Sequence, residues 1–540
     1  MIALLFISTC FAEELSLAFS KGVFEIAECE SKGSVHGSYQ RRINETGWNF
    51  LRIWSTDKTL NDTDRTYAMG FVEGYLTRED IDVYWEVFVN TTWKSGKPNK
   101  KLMESLLHQR DYWRRTMLEG TADFYATQRL INKQLIGLYD GYLFAGGSLN
   151  EDNIYLLASR GDLFEMLNMF PEDEKEGSFA DIRKRRGKSE IHSCSAFIKN
   201  INGEVFFAHN TWTTYTRMLR IKKRYEYETV YGKAVVDQTS YPAIFVSIDD
   251  YYSLHKDNNT MFIMETTNSV YDEEIYIDFR RKHLYWQRVL ASLIIGGDTN
   301  NIIDNIGTDS SGTYNNQWMI FDLNKWNKSD KTGSLMIFEE MPGLRKRHDV
   351  TQYLLDPDSS YSWASYNIPY DRHIFNLSGL KLEEDCDPYS DSRRSIIFKR
   401  DLHTLGSIED VKKFIRYNNY MNDEYSAALP ECDHNFADTD KRSPMYAIAS
   451  RGDLLRNPEM YGAIDAKVMR SSMPYTMYII SGPTNDIQKT FRFSDFNIHI
   501  PGIPDKYDFK WLEVDSYVFE DKGYTGRLLL LSVLVILFVL

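Results

Sequence analysis

The chain has 540 residues, of which 43% are hydrophobic and 26% charged, and its formal net charge is −14 at pH 7. These values are ordinary for a globular protein and exclude a collagen-like, coiled-coil or intrinsically disordered chain. Five cysteines are too few for a disulfide scaffold, and the acidic balance argues against a nucleic-acid partner. The interior has no apolar run of the roughly 18 residues that a membrane helix requires, which excludes a multi-span membrane protein.

The N-terminus has the pattern of an export signal. Residues 1–12 are apolar and end in small residues before two glutamates, which is typical of a secretory signal peptide cut after Ala12. The segment has no basic start, and a buried N-terminal strand is the alternative. Export would make the Asn-x-Ser/Thr sequons candidate glycosylation sites. They are Asn44, Asn61, Asn90, Asn258, Asn327 and Asn376.

The first third of the chain has helical periodicity. Apolar residues recur at spacings of three and four across 102–118 and again across 131–142. A charged segment at about 171–193, with an acidic half and a basic half, then breaks the pattern. Such a segment buries little apolar surface, so we predict an exposed, mobile linker at the end of a largely helical N-terminal portion. A solvated charged loop without a role is the alternative.

After the linker the pattern changes to that of strands. Residues 191–199 and 204–209 alternate on either side of Asn202-Gly203, which predicts a β-hairpin with a two-residue turn. Further predicted strands are 243–248, 261–265, 318–323 and 334–338, with helices at 280–295 and 407–418. The mixture predicts a layered α+β domain.

One short repeat stands out. The sequence Ala-Ser-Arg-Gly-Asp-Leu occurs at 158–163 and again at 449–454. It contains Arg-Gly-Asp, which is associated with cell adhesion, but we favour a turn before a helix that is used twice. No longer period is present, which excludes a solenoid.

Common catalytic and metal-binding motifs are absent. The chain has no Gly-x-Ser-x-Gly elbow, no phosphate-binding Gly-rich loop, no His-Glu-x-x-His and no Cys or His pairs at zinc spacing. We therefore expect no metal and no cofactor, and any active site must be assembled from distant parts of the chain.

Cys194 is the candidate nucleophile because it begins the first strand of the predicted hairpin. The two-residue turn places Cys194 opposite Thr211, with His209 as the diagonal neighbour on the same face. His209 is one candidate base for the thiol. A cut between Ser193 and Cys194 would supply another, since an α-amino group with a pKa of about 7.7–8.0 suits general base catalysis. An ordinary buried cysteine is the alternative.

Several sequence blocks run in order from about residue 68 to about residue 485. They are 73–77, 194–199, 206–212, 264–268, 311–319, 340–343, 363–369, 397–400 and 462–468. The block Ser-Gly-Thr-Tyr-Asn-Asn-Gln-Trp-Met at 311–319 is long and compositionally unusual. Together these blocks resemble the phospholipase B-like family of the lysosomal, laminin-ancestor type.

This resemblance implies a fold and a maturation step. The family has the αββα sandwich of N-terminal nucleophile hydrolases, here with a largely helical N-terminal portion. The precursor is expected to cut itself before Cys194, giving an N-terminal chain of 13–193 and a catalytic chain of 194–526. The two chains are expected to remain associated.

The resemblance also implies a set of site residues. Cys194 would be the nucleophile and its freed amine the base. The family pattern carries His209, Thr267, Asn367 and Arg394 into the same pocket, with Trp212 as a wall and Asn316 in the substrate pocket. Asn367 has the right chemistry for an oxyanion donor, and Arg394 for holding a carboxylate or phosphate. The surrounding sequence departs from the family's Pro-Arg pairing, so Arg393 competes with Arg394.

The family name implies hydrolysis of both acyl chains of glycerophospholipids by a secreted or lysosomal enzyme. An amidase acting on N-acyl or peptide amides is the enzymatic alternative. A non-catalytic glycoprotein that binds lipid or protein is the alternative from another class.

The C-terminal tail, 527–540, is apolar. From Leu528 onward it carries no charge, and it is too short for an ordinary membrane span. It fits the hydrophobic part of a GPI signal, with Ser516, Gly523 or Gly526 as attachment site. A short anchor or a frayed tail is the alternative, so membrane attachment through this tail is an expectation.

Overall fold

The computed structural model describes residues 13–20, 23–27, 33–171, 175, 194–380, 388–426 and 442–515. The predicted signal peptide, most of the charged linker with Ser193, and the apolar C-terminal tail lie outside the described residues.

The helices lie in two groups, one before residue 170 and one after residue 284. Their bounds are α1 Ile43–Thr46, α2 Asp62–Leu76, α3 Arg78–Thr92, α4 Lys100–Glu119, α5 Asp123–Phe144, α6 Glu151–Ala158, α7 Leu163–Met169, α8 Tyr285–Ile295, α9 Thr299–Gly307, α10 Leu323–Trp326, α11 Arg372–Ser378, α12 Pro388–Asp391, α13 Arg393–Asp401 and α14 Ile408–Ile415.

The strands occur in both halves of the chain. Their bounds are β1 Glu13–Ser20, β2 Val23–Ile26, β3 Val35–Gln40, β4 Asn49–Ser55, β5 Cys194–Ile201, β6 Glu204–Thr214, β7 Ile221–Thr229, β8 Gly232–Ser240, β9 Tyr251–Lys256, β10 Asn259–Thr267, β11 Asn316–Asp322, β12 Leu335–Met341, β13 Leu344–Asp349, β14 Ser362–Ser365, β15 Tyr461–Ala463, β16 Asp465–Arg470, β17 Thr476–Ser481, β18 Phe491–Arg492, β19 Lys506–Tyr507 and β20 Leu512–Asp515.

Two large sheets organise these strands into a mixed α+β fold. The larger has eleven strands in the order β13-β12-β11-β10-β9-β8-β7-β4-β3-β1-β2, and the smaller has the order β14-β5-β6-β16-β17-β20, with β15 also paired to β6. Within the larger sheet β4 and β7 pair in parallel. Strands from both sides of residue 193 therefore share one sheet.

Three apolar clusters show what covers the sheets. One joins residues of α2, α4, α5 and α8 to the larger sheet. A second joins Phe197 of β5 to Phe398 and Phe414 of α13 and α14. The third joins β5 and β6 to β10 and β11, with the rings of Phe207 and Phe262 stacked at 4.2 Å between centroids. Because neighbouring residues of β5 enter different clusters, both faces of this strand are buried.

The predicted hairpin is confirmed. β5 and β6 pair with Cys194 opposite Thr211 and Ala196 opposite His209, as the two-residue turn requires. Asn202 and Gly203 have φ of 54° and 95°, the left-handed values that such a turn needs and that Asn and Gly tolerate best.

Most other predicted elements are confirmed with shifted ends. The periodic stretches 102–118 and 131–142 lie in α4 and α5. The predicted strands at 261–265, 318–323 and 334–338 correspond to β10, β11 and β12, and the helix at 407–418 to α14. The helix predicted from 280 begins only at Tyr285. The N-terminal portion is helical as predicted, but it also supplies β1 to β4, which the helical pattern did not indicate.

The predicted strand at 243–248 is wrong. These residues form a buried loop, and Ala243 has a φ of 58°. The loop carbonyls are bonded by side chains rather than by a neighbouring strand. Gln238 Nε2 donates to Phe245 O (2.7 Å), and Ser240 Oγ donates to Val246 O (2.7 Å). The apolar composition reflects burial rather than sheet pairing.

Both Arg-Gly-Asp copies are buried, so neither is displayed for adhesion. Arg160 and Asp162 lie in the turn between α6 and α7, as the interpretation of a turn before a helix predicts. In the second copy Arg451 and Asp453 form an ion pair of 2.6 Å beside a short 3-10 turn.

Helices α2 and α5 approach each other closely through paired glycines. A Cβ built on Gly137 would lie 1.9 Å from Tyr67 O, and one on Gly74 would lie 2.0 Å from Leu138 O. Gly70 and Gly141 meet backbone oxygens of the opposite helix in the same way. Backbone cannot move aside as a flexible side chain can, so this helix pair requires glycine at its contact points.

We predict that Gly137→Ala destabilises the protein although alanine is the better helix former. Overpacking of the α2–α5 contact should lower the free energy of unfolding by about 2 kcal/mol. The better helix propensity of alanine should raise it by only roughly 1 kcal/mol, so the net effect is destabilising. Urea denaturation measures this effect. Lys133→Ala, at an exposed position of α5, is the control and should change stability by less than about 0.5 kcal/mol. A stabilised Gly137→Ala variant would contradict the proposed contact.

Candidate functional site

Cys194 lies at the start of β5 on the face that points between the two sheets. Its side chain is 3% exposed and in no disulfide, and Ala196 on the same face belongs to the apolar cluster between the sheets. Its backbone is held at both ends. The Cys194 N–H donates to Asn367 Oδ1 (3.3 Å), and the Cys194 carbonyl accepts from Arg394 Nη1.

Asn367 presents its oxygen to Cys194. Its Oδ1 accepts from both the Cys194 N–H and Arg394 Nη2 (2.7 Å), while its Nδ2 donates to Thr267 O (3.0 Å). The residue has a φ of 69°, a left-handed value that asparagine tolerates better than most residues. This orientation favours holding the Cys194 nitrogen over the oxyanion-donor role that the resemblance implied.

Arg394, on α13, joins this helix to the residues around Cys194. Besides Cys194 and Asn367, it donates to Ser195 Oγ (3.1 Å) and to the Tyr366 carbonyl. Its guanidinium carbon lies 4.6 Å from the centre of the Trp212 ring. The competing Arg393 instead lies over Tyr446 at 3.4 Å. The Arg394 fork is thus bonded to acceptors of the protein itself rather than open toward a substrate anion.

His209 is a neutral side chain in this environment. Its Nε2 lies 3.0 Å from the Glu265 carbonyl, so the ring carries its proton there, and Nδ1 has no hydrogen-bond partner among the described residues. Burial first, and then the charge of Lys467, hold the pKa of His209 well below its ordinary value. A depressed pKa makes the ring a weak base for the thiol.

An acidic group lies on the larger sheet opposite Cys194. Glu265 Oε1 accepts from the Tyr314 hydroxyl (3.1 Å). The Asn316 amide, oriented with its nitrogen toward acceptors, donates to Glu265 Oε2 (2.8 Å). Burial, and then the nearby carboxyl of Asp250, raise the pKa of Glu265 well above its ordinary value. The buried site therefore disfavours the charged form of Glu265, and the Asn316 amide is bonded to its carboxyl.

Thr267 completes the same strand of the site. It pairs with Asn316 across β10 and β11, and its carbonyl receives the Asn367 amide. Its hydroxyl lies beside that of Tyr314.

A buried ionic network lies beside the hairpin. Lys467 donates to the hydroxyl of Thr211, the cross-strand partner of Cys194. Lys467 also forms ion pairs with Asp249 (3.2 Å) and Asp465 (3.0 Å), and Arg220 pairs with the same two carboxylates. These cations lower the pKa of Asp249, so this side of the site stays ionised.

These charges act on the thiol. Burial first, and then Glu265, raise the pKa of Cys194 well above its ordinary value, while the backbone N–H of Trp212 and the charge of Lys467 act in the opposite direction. In the uncut chain the thiol is therefore protonated at neutral pH. Repeated turnover with Cys194 as the nucleophile requires a stronger base than the neutral His209.

The structure thus brings together every residue that the sequence singled out for the pocket: Cys194, His209, Trp212, Thr267, Asn316, Asn367 and Arg394. Sequence reasoning missed Glu265 and Lys467. Both lie within the blocks 264–268 and 462–468 that carry the family resemblance, which was the available signal.

Other predicted features bear on this site less directly. All six sequon asparagines are exposed. Among the described residues no cluster of three or more His, Cys, Asp or Glu side chains is arranged to hold a metal. In the same part of the chain, no helix is both long and apolar enough to cross a bilayer.

We predict that Cys194 of the folded, uncut chain reacts slowly with iodoacetamide. A raised pKa means less thiolate at a given pH, so labelling at about pH 7.5 should be at least about tenfold slower than in the unfolded chain. Labelling should continue to accelerate as the pH rises beyond the pKa of a free thiol, about 8.5. Peptide mapping by mass spectrometry separates Cys194 from the other cysteines. Equal labelling rates in folded and unfolded chains would contradict the neutral, buried thiol.

Comparison with known proteins places this site in a family. The family model "Phospholipase B" matches residues 35–514. The chain is 31% identical to "Phospholipase B" of Crotalus adamanteus, over 91% of this chain and 90% of that protein. It is 30% identical to "Phospholipase B-like protein G" of Dictyostelium discoideum, over 89% and 86% of the two chains. It is 30% identical to "Phospholipase B-like 1" of Homo sapiens, over 89% and 87%.

The match covers strands of both large sheets and all the site residues described above. The chain therefore belongs to the phospholipase B family and is a hydrolase.

Proposed function

We propose that this protein is a cysteine N-terminal nucleophile hydrolase that cuts its own chain before Cys194 and then deacylates glycerophospholipids. The observation that carries the proposal is the set of contacts that hold Cys194. Its nitrogen is bonded to Asn367, its carbonyl to Arg394, and its thiol is buried between the sheets. The bonded nitrogen is the atom that a cut before Cys194 would convert to an α-amine beside the thiol.

The maturation step follows from this geometry. The Cys194 sulfur attacks the carbonyl carbon of Ser193, the C–N bond breaks, and the proton from the thiol passes to the departing nitrogen. Water then hydrolyses the thioester, which frees the Ser193 carboxylate and restores the thiol. The new α-amine takes the place of the peptide N–H that donates to Asn367 Oδ1, so it is already positioned beside the sulfur.

In turnover the freed amine is the better base. It accepts the proton of the thiol, and the thiolate attacks the ester carbonyl of the lipid. The leaving alcohol takes that proton, and an amine-activated water hydrolyses the thioester to a fatty acid. The pKa of about 7.7–8.0 of an α-amine suits this task, whereas His209 is held neutral and its Nε2 is bonded to Glu265 O.

The arrangement of layers supports the N-terminal nucleophile assignment. Helices cover the outer face of each large sheet and an apolar cluster joins the inner faces, and this layering supports the proposed αββα sandwich. The N-terminal strands β3 and β4 lie inside the larger sheet, where β4 pairs with β7. Chains cut at 193 would share this sheet, so we expect them to stay associated.

The substrate class comes from the relatives, which are named phospholipase B. An amidase is the second candidate, and the proposed self-cleavage favours it, since there the same thiol attacks an amide bond. We place the activity in the secretory pathway, with the exposed sequon asparagines in support. Competing hydrolysis of a phosphatidylcholine and an N-acyl amide by the purified protein distinguishes the two substrates.

We predict that Cys194→Ala leaves a single uncut chain without hydrolytic activity, because it removes the attacking atom of both steps. N-terminal sequencing and fatty-acid release measure the two effects. Ser362→Ala, on the neighbouring strand β14, is the control and should be cut and active like the natural chain. A new N-terminus at position 194 in Cys194→Ala, or lipid hydrolysis at the natural rate, would refute the nucleophile. An uncut natural chain that still binds lipid would favour a binding protein.

We predict that Arg394→Lys slows the cut at least about tenfold, which corresponds to about 1.4 kcal/mol of activation free energy. Lysine cannot reproduce the planar fork that joins the four acceptors around Cys194. The rate at which the precursor band disappears on denaturing gels measures the effect. Arg400→Lys on the same helix, where the side chain pairs with Asp401 and Asp423, is the control and should be cut normally. Normal cutting of Arg394→Lys would contradict its positioning role.

A further inference from the structure

Lys467 is a buried lysine on the same face of the smaller sheet as Cys194. Strand pairing places Lys467 opposite His209 across β16 and β6, and Thr211 opposite Cys194 across β6 and β5. His209 and Thr211 are two residues apart on β6, so their side chains point to the same face. The four side chains therefore share the face that looks toward the larger sheet.

Three acceptors fix the position of the Lys467 ammonium. It donates to the Thr211 hydroxyl and pairs with Asp249 (3.2 Å) and Asp465 (3.0 Å). An ammonium has three hydrogens to donate, and these partners account for all of them. Asp465 also accepts from the Thr211 N–H (3.1 Å). The charge of the lysine is thus held at the cross-strand partner of Cys194.

Charged and titratable groups face Cys194 from both sheets, from the loops beside them and from α13. They are His209, Asp249, Glu265, Tyr314, Arg394 and Lys467. Of the two cations, Arg394 is bonded to the Cys194 carbonyl, whereas Lys467 acts on the thiol. Glu265 and Asp249 act on the thiol in the opposite direction, because a nearby negative charge disfavours a thiolate.

We infer that Lys467 is a positioning residue of the reaction, whose charge, held in place by Asp249 and Asp465, favours the thiolate of Cys194 over the neutral thiol. An ammonium has no lone pair, so Lys467 is not the base. With Arg220 it balances the two carboxylates, and loss of Lys467 would leave both of them with Arg220 alone. The added negative charge would oppose the thiolate.

Lys223 offers a matched comparison away from the site. It is also buried, it pairs with Glu73 (2.7 Å), and it donates to the Ile244 carbonyl (2.6 Å). Lys223 lies on β7 and Glu73 on α2, and neither belongs to the six groups that face Cys194. Substitution of Lys223 therefore breaks a buried ion pair without removing a charge from beside the sulfur.

Labelling of Cys194 with iodoacetamide tests the inference without an assay of activity. Lys467→Gln keeps a donor toward Thr211 but loses the charge, so labelling at about pH 7.5 should be at least about threefold slower than in the natural protein. Asp249→Asn removes a negative charge and should label faster. Lys223→Gln is the control and should label at the natural rate. Denaturing gels separate cut from uncut chains, and peptide mapping of each band gives the rate for Cys194.

The signs of these changes separate the charge of Lys467 from a merely structural role. A loosened site would expose the thiol and speed labelling in both variants, whereas the loss of opposite charges changes the rate in opposite directions. Lys467→Met, of similar length and without a charge, should also label more slowly and serves as the second variant if Lys467→Gln folds poorly. Equal or faster labelling in a folded Lys467 variant, or no faster labelling in Asp249→Asn, would overturn the inference.

The consequence for turnover rests on the proposed function. The α-amine freed by the cut would lie beside the same charge, which favours its neutral, proton-accepting form. Lys467→Gln should therefore move the acid limb of the pH profile of kcat/KM for phosphatidylcholine to higher pH, and Asp249→Asn should move it to lower pH. Labelling rates that change as expected in a protein that releases no fatty acid at any pH would refute the proposed function and support the role of Lys467. Unchanged labelling rates would refute that role even if the lipid is hydrolysed.

Discussion

The geometry of the candidate site depends on one buried cation, Arg394. It joins the carbonyl of Cys194, the hydroxyl of Ser195, the carbonyl of Tyr366 and the amide of Asn367. These acceptors belong to β5 and to the segment after β14, while Arg394 belongs to α13. Because a guanidinium has donors in a rigid plane, it fixes the mutual orientation of all three segments. The amide of Asn367 can then face Cys194 in one way only, with its oxygen toward the nitrogen that a cut would release.

The charges between the sheets divide into two groups with opposite behaviour. Lys467 and Arg220 each pair with both Asp249 and Asp465, so these four residues form one network, and the two cations lower the pKa of Asp249. Asp250 and Glu265 form no ion pair within the described ranges, and burial raises the pKa of both. The thiol lies between the two groups and stays protonated. The base that is still required is an amine, and Cys194 itself would provide it when the chain is cut.

The sequence predicted the parts of this site that local rules govern. The two-residue turn at Asn202-Gly203 determines the register of the hairpin, so the local pattern alone places Cys194 opposite Thr211 and beside His209, and the strand pairing confirms it. Asn367 and Arg394 came from the family resemblance, since no local rule relates positions more than 170 residues away to Cys194.

The predictions failed where tertiary contacts override local pattern. The apolar run at 243–248 looks like a strand, but side chains of β8 bond its carbonyls and it forms a loop. Local pattern gave no sign of the role of Glu265 and Lys467, because an ionisable side chain in a strand has the same pattern whether solvent or a buried thiol faces it. The raised pKa of Glu265 depends on desolvation, which is a property of the packed sheets rather than of the strand sequence.

The two copies of Arg-Gly-Asp make the same point within a single motif. In the second copy Asp453 accepts two hydrogen bonds from Arg451, of 2.8 and 2.6 Å, so the two opposite charges cancel. In the first copy Asp162 accepts instead from the Tyr285 N–H (2.8 Å) and the Thr313 hydroxyl, and burial raises its pKa to about 6. Its carboxyl is therefore turned away from Arg160, although the local sequence offers the same pairing. Identical hexapeptides thus give one arginine that pairs within its motif and one that forms no ion pair among the described residues, because the surrounding packing decides where each aspartate points.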